Sequence, residues 1–185
     1  MNYDKLDNDE LLRLSLDAIN NGHDADSVVM LKTLLERDPT HMYGQYLLAA
    51  QHAQLSMFDR AEAGFRTVVA QAPEFAIARF QLAQLLLMKG AADEARQLLA
   101  PVTAQQDALG AYARALSVAD DDVATAIREL DVGLAMPQEI PALAADMQRV
   151  RDQLAQNLSQ GGVAVPAQSQ PQAAPIFLTG YGREG

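Results

Sequence analysis

Apolar residues recur along this chain at three- and four-residue steps, in blocks separated by short polar breaks. Such steps line up one face of a helix for a core and leave the other to water. The blocks predict helix pairs at 7–20 with 24–37, 41–54 with 58–71, 74–88 with 92–104, and about 108–118 with 121–135. Asn21-Gly22 breaks the first pair, and Asp24 or Asp26 is placed to cap the helix that follows. Lys89-Gly90 ends a helix of the third pair with a cation and then a glycine free to turn left-handed. Pro101 lies late in its block and should end or kink that helix. The run Asp120-Asp121-Asp122 reads as a helix start with a charged cap rather than a metal site.

The pairs repeat in phase. Pro39 and Pro73 stand 34 residues apart, and each closes the same phrase: Ser27-x3-Leu31 before the first, Ala61-x3-Phe65 before the second. Ala95-x3-Leu99 follows one period later, with Asp107 in the proline place. A small residue four before a large apolar one lets two helices approach closely. One helix pair cannot bury its apolar face alone, so copies in phase must stack. The expected class is therefore all-α, an α-α superhelix (solenoid) of three to four helix pairs.

These residues resemble the tetratricopeptide repeat family, in its small bacterial type. The family pattern is W-x2-L-G-x2-Y, then A-x3-F, then P. Here the units read Leu11, Leu14-Ser15, Ala18, Ser27, Leu31, Pro39; then Gln45, Leu48-Ala49, His52, Ala61, Phe65, Pro73; then Arg79, Leu82-Ala83, Leu86, Ala95, Leu99, Asp107. The second-helix half matches well; Gln45, His52 and Arg79 depart from the buried aromatic or aliphatic places of the first. A fourth unit carries Leu116-Ser117 and Ala126-x3-Leu130, three residues too close, which predicts a short turn between its helices. The match covers roughly residues 8–137.

Beyond Pro137 and Pro141, Leu143, Met147, Val150, Leu154 and Leu158 form a single apolar stripe, backed by charged and amide residues. That is the pattern of a capping helix at about 141–158, which completes a repeat domain over 1–158. Residues 159–175, rich in Gly, Pro, Gln, Ala and Ser, have linker composition. The tail at 176–185 then gathers Ile176, Phe177, Leu178 and Tyr181.

Charge narrows the partners. Fourteen Lys and Arg face 24 Asp and Glu, a formal net charge of −10, with no basic stripe for phosphates. Nucleic acid and anionic membranes are poor partners for such a surface. Cysteine is absent, so disulfides and thiolate chemistry are excluded. The opening Met1-Asn2-Tyr3-Asp4-Lys5 lacks the order of a signal peptide, and no apolar stretch is long enough to insert in a membrane. A cytoplasmic location is expected. His23, His41 and His52 lack metal-ligand spacing, and no nucleophile elbow, P-loop or dinucleotide fingerprint occurs. Neither an enzyme nor a cofactor or metal site is expected, and His52 reads as structural.

What the resemblance implies is binding. In the family the first helix of each repeat lines a concave groove. Carried onto this chain, the groove takes Leu12 and Leu16, then Tyr43, Tyr46 and Ala50, then Ile77, Phe80, Gln81, Gln84 and Met88. Some of these side chains could instead be core. The carboxylate clamp of the family's co-chaperones is missing, since its places hold Leu12, Leu16, Leu47, Ile77 and Gln81. The expected function is a non-enzymatic adaptor or scaffold that binds a protein or peptide partner, a peptide or helix, in an apolar groove. The alternatives are a small secretion-type chaperone for an apolar client and a structural or regulatory oligomer subunit. Ile176, Phe177, Leu178 and Tyr181 could supply a tethered ligand, to the same chain or to a second copy.

Overall fold

The computed structural model describes residues 3–160. The tail at 176–185, with Ile176, Phe177, Leu178 and Tyr181, and the linker from 161 onward lie outside the described residues. Among the described residues there are nine α-helices and no strand: α1 Asn8–Asn20, α2 Asp24–Arg37, α3 Met42–Gln54, α4 Phe58–Gln71, α5 Ala76–Met88, α6 Ala92–Leu99, α7 Ala108–Val118, α8 Val123–Ala135 and α9 Pro141–Ser159. A 3-10 turn at Tyr3–Lys5 precedes them. The class is the expected all-α helical repeat. The residues fall into two compact units that divide after Ala78, within α5.

In the first unit α1 packs on α2, α2 on α3, and α3 on α4. Leu11, Ala18, Met30 and Leu34 form a core cluster, covered at the N-terminal end by Tyr3, Leu6, Leu12 and Leu35. The Arg37 guanidinium donates to the carbonyls of Leu6 and Tyr3 and ties the 3-10 turn to α2. Gly64 explains how closely α4 lies on α3: a Cβ there would stand 2.7 Å from the Cβ of Ala49. In the second unit α6 packs on α7, α7 on α8, and α8 on α9. Ala95, Leu99, Ala126 and Leu130 are all buried, so the small-x3-large phrase marks the core in this unit as Ala61 and Phe65 mark it in the first.

The helix ends show the period at atomic scale. Gly22, Ser56 and Gly90 recur at the 34-residue spacing, and all three have left-handed backbone, with φ of 72°, 58° and 78°. After each, the next amide donates back five residues: His23 to Ala18 (2.8 Å), Met57 to His52 (2.7 Å) and Ala91 to Leu86 (2.9 Å). This paired closure satisfies the last carbonyls of α1, α3 and α5. The reading of Asp24 or Asp26 as a cap is corrected: His23 holds the cap position of α2 and makes no side-chain capping bond, while both acids sit in the first turn beside the helix dipole. Side-chain caps appear elsewhere. Asp7 and Glu10 form a reciprocal capping box at 2.8 and 2.9 Å, and Asp107 and Asp122 accept from Gly110 (2.8 Å) and Thr125 (2.9 Å).

Two boundaries moved. α6 stops at Leu99, two residues before Pro101, where 104 was expected; Pro101 has no N–H to continue the ladder. The fourth turn is not short, because the three missing residues come out of α7. That helix ends at Val118, and Ala119–Asp122 form the connection. Arg96 anchors this connection, donating to the Ser117 carbonyl (3.1 Å) and to Asp121 (3.2 Å), with Asp120 at 3.7 Å.

Candidate functional site

In the first unit, the face assigned to binding begins on α1. Leu12 and Leu16 lie one turn apart and are both partly exposed, as amphipathic spacing requires. On α3, Tyr43 is partly exposed and stacks on Tyr46, with ring centroids 5.9 Å apart and planes at 22°. Tyr46 itself is buried, 1% exposed, with Phe65 at 6.1 Å and the edge of Phe75 at 5.0 Å. It is a core side chain, which corrects its assignment as a groove anchor. Ala50 and Ile77 are likewise buried.

On the second unit's part of α5, Phe80 is 0% exposed and Gln81 is 2% exposed, so neither presents a ready surface. Gln84 is partly exposed and Met88 is 53% exposed at the helix end. The physical reason is visible in the composition of α5: apolar and small residues occupy several sides of it, so more than one side packs inward, and only the side with Ala76, Arg79, Gln84, Leu87 and Met88 stays partly open. Of the ten groove residues named from sequence, Leu12, Leu16, Tyr43, Gln84 and Met88 remain accessible, and five belong to the interior.

Several buried polar atoms on these helices have no partner: Asn20 Oδ1, Gln45 Oε1, Gln84 Oε1, and both amide atoms of Gln81. Gln51 and Ser27, which sequence reasoning passed over as a pair, lie 2.8 Å apart in the core. The signal was there: Ser27 fills the place that Ala61 and Ala95 fill in later repeats.

The titratable groups here serve structure. His52 is buried with Nε2 unpartnered; burial holds its pKa below the usual histidine value, helped by the charges of Lys32 and Arg60. It is therefore a neutral packed imidazole at pH 7. His41 accepts from the Gly44 amide at 3.0 Å and starts α3. Arg114 pairs with Glu129 (2.7 Å) and donates to the carbonyls of Thr103 (3.0 Å) and Gln105 (3.2 Å), joining α7, α8 and the segment before α7. Tyr112 donates to Gln138 (2.8 Å), and burial raises its pKa. Among the described residues no group of three or more His, Cys, Asp or Glu could hold a metal ion, and no helix is long and apolar enough to cross a membrane.

Residues 52–119 match the family model described as tetratricopeptide repeat. Two solved structures share the fold. One is MamA 41-end from Desulfovibrio magneticus RS-1, with TM-score 0.59 and 18% identity, covering 83% of this chain and 92% of that one. The other is the MamA RS-1 ArsTM double mutant, with TM-score 0.59 and 17% identity, covering 83% and 91%. No curated protein matches the chain. The repeated small-x3-large core, the repeated left-handed helix ends and the family match agree, and residues 52–119 are of the tetratricopeptide repeat type.

Proposed function

We propose that this protein is a non-enzymatic interaction module, an adaptor or scaffold that binds a peptide or helix of a protein partner on the first-helix faces of its repeats. The observation that carries the reading is the Tyr43–Tyr46 stack. Tyr46 is locked between Phe65 and Phe75, so Tyr43 rests on a rigid base and its ring loses little freedom when a partner covers it. Leu12 and Leu16 supply a second apolar strip on α1. Aromatic and aliphatic anchors of this kind suit an amphipathic helix or an extended apolar segment. Repeat folds of this type bind through their extended surfaces.

The test is selection of binding peptides from a displayed random library with the full chain, followed by fluorescence polarisation. Tyr43→Ala and Leu16→Ala should each weaken the selected peptide about tenfold with the fold intact by circular dichroism. Unchanged affinity in both variants would remove this face as the binding site. Tyr46 and Phe80 are unsuitable test positions, because truncating either empties the core.

A further inference from the structure

First helices begin at residues 8, 42, 76, 108 and 141, so α9 stands where a fifth helix pair would open. A first helix in this fold lies between two second helices: α3 packs on α2 and α4, and α7 packs on α6 and α8. α9 packs on α8, and among the described residues no helix follows to close its other side. Burial along its apolar stripe fades accordingly. Leu143 and Met147 are buried, Val150 and Leu154 are partly exposed, and Leu158 is 52% exposed. The open half carries no charge: residues 153–160 read Gln-Leu-Ala-Gln-Asn-Leu-Ser-Gln, on a protein of formal net charge −10. The charged groups just before it are already paired within the chain, Arg149 with Asp146, and Arg151 with Asp131 (2.9 Å) and Asp152 (3.3 Å).

We propose that the open half of α9 pairs, two-fold and antiparallel, with the α9 of a second copy of this chain, giving a reversible homodimer. Short connections make the second helix of each pair run antiparallel to the first. A two-fold copy of α9 runs the same way, so it takes the place of the second helix that a fifth pair would have. With Leu154 at the axis, Val150 meets the partner's Leu158, and two turns of one stripe close on themselves. Charge and hydrogen bonding both favour a like occupant over a foreign one. Acidic copies repel where their carboxylates face each other, and this neutral surface lets them meet without juxtaposing like charges. The two-fold also brings the rim of Gln153 and Asn157 against the same two amides of the second copy. An amide both donates and accepts, so it pairs with its own kind as no charged side chain does. One helix face is a small interface of the weak, transient class, so association belongs in the micromolar range. This face is separate from the α1 and α3 surface proposed above for a peptide or helix.

Sedimentation equilibrium of the full chain across about 1 µM to 1 mM tests this. Mass should rise from monomer toward dimer. Added salt should favour the dimer, because screening relieves the repulsion between acidic copies and no ion pair between them is lost. Leu158→Glu, at a position already 52% exposed, should keep helix content and melting temperature and weaken association at least about tenfold. The chain has no cysteine, so single-cysteine variants report the register through a short bis-maleimide. Leu154→Cys should link to its own kind. Two copies of Leu158→Cys stand about 12 Å apart along the helix axis, so Leu158→Cys should link to Val150→Cys instead. A monomer at every concentration would overturn the proposal, and if that monomer still binds library peptides through Tyr43 the interaction-module reading stands. A dimer untouched by Leu158→Glu would remove α9 as the interface. Leu158→Cys linking to itself more readily than to Val150→Cys would rule out the antiparallel pairing.

Discussion

Ser27 Oγ on α2 stands 2.8 Å from the side-chain amide of Gln51 on α3, and both residues are fully buried. The hydroxyl also lies 2.7 Å from the Asp24 carbonyl. It has one proton, so the consistent arrangement has Ser27 donating to Asp24 and the Gln51 amide turned so that its NH2 donates to Ser27. One polar pair thus replaces the alanine contact of later repeats. Ser27→Ala strands the Gln51 amide and should cost about 1–3 kcal/mol in chemical denaturation. Ser27→Ala with Gln51→Leu should recover most of that loss. A double variant as unstable as the single one would show that packing, not the pair, holds this junction.

Ser56 is the one non-glycine residue at the repeated left-handed helix end, between Gly22 and Gly90 in phase. A side chain in this conformation costs roughly 1–2 kcal/mol, while glycine adds less than about 1 kcal/mol of unfolded-state entropy. Ser56→Gly should therefore stabilise by about 0.5–1 kcal/mol, read from the denaturation midpoint. Gly22→Ala and Gly90→Ala should both destabilise.

Gly64→Ala sets two effects against each other. Alanine favours the helix by up to about 1 kcal/mol. Its Cβ would come to 2.7 Å from Ala49 Cβ, and neither group can rotate away, so α3 and α4 must part. Overpacking of that kind costs roughly 1–3 kcal/mol. The net effect should be destabilising, with a lower melting temperature.

His52 makes the first unit sensitive to acid. Its folded pKa lies below the ordinary 6.5 because burial, then Lys32 and Arg60, disfavour the charged form. The unfolded chain therefore binds the proton more readily. The stability tied to the neutral ring is intact above pH 6.5 and is lost as pH falls from there through the folded pKa. Unfolding free energy measured through that range should fall more steeply for wild type than for His52→Gln. Parallel curves would assign the acid sensitivity to other groups.

The sequence by itself determined the helices, their pairing and their period. Boundaries at 24–37, 58–71 and 108–118 agree with α2, α4 and α7 to the residue, because glycines, prolines and caps act over a single turn. The buried places of Ala61, Phe65, Ala95, Leu99, Ala126 and Leu130 were legible for the same reason: a strict spacing repeated in phase leaves one way to stack. Only the tertiary structure decided which apolar side chains a partner can reach. Tyr46, Ala50, Ile77, Phe80 and Gln81 fit the groove pattern and are nonetheless interior, whereas Tyr43, three residues from Tyr46, is partly open. Periodicity says that a side of a helix is apolar, but where α3 and α5 are apolar on several sides it does not say which side meets a neighbour. The Ser27–Gln51 pair and the later start of α8, at Val123 rather than 121, escaped for a related reason. The first joins residues 24 positions apart and the second is held by Arg96 reaching across from α6, and both depend on how close two helices come in space.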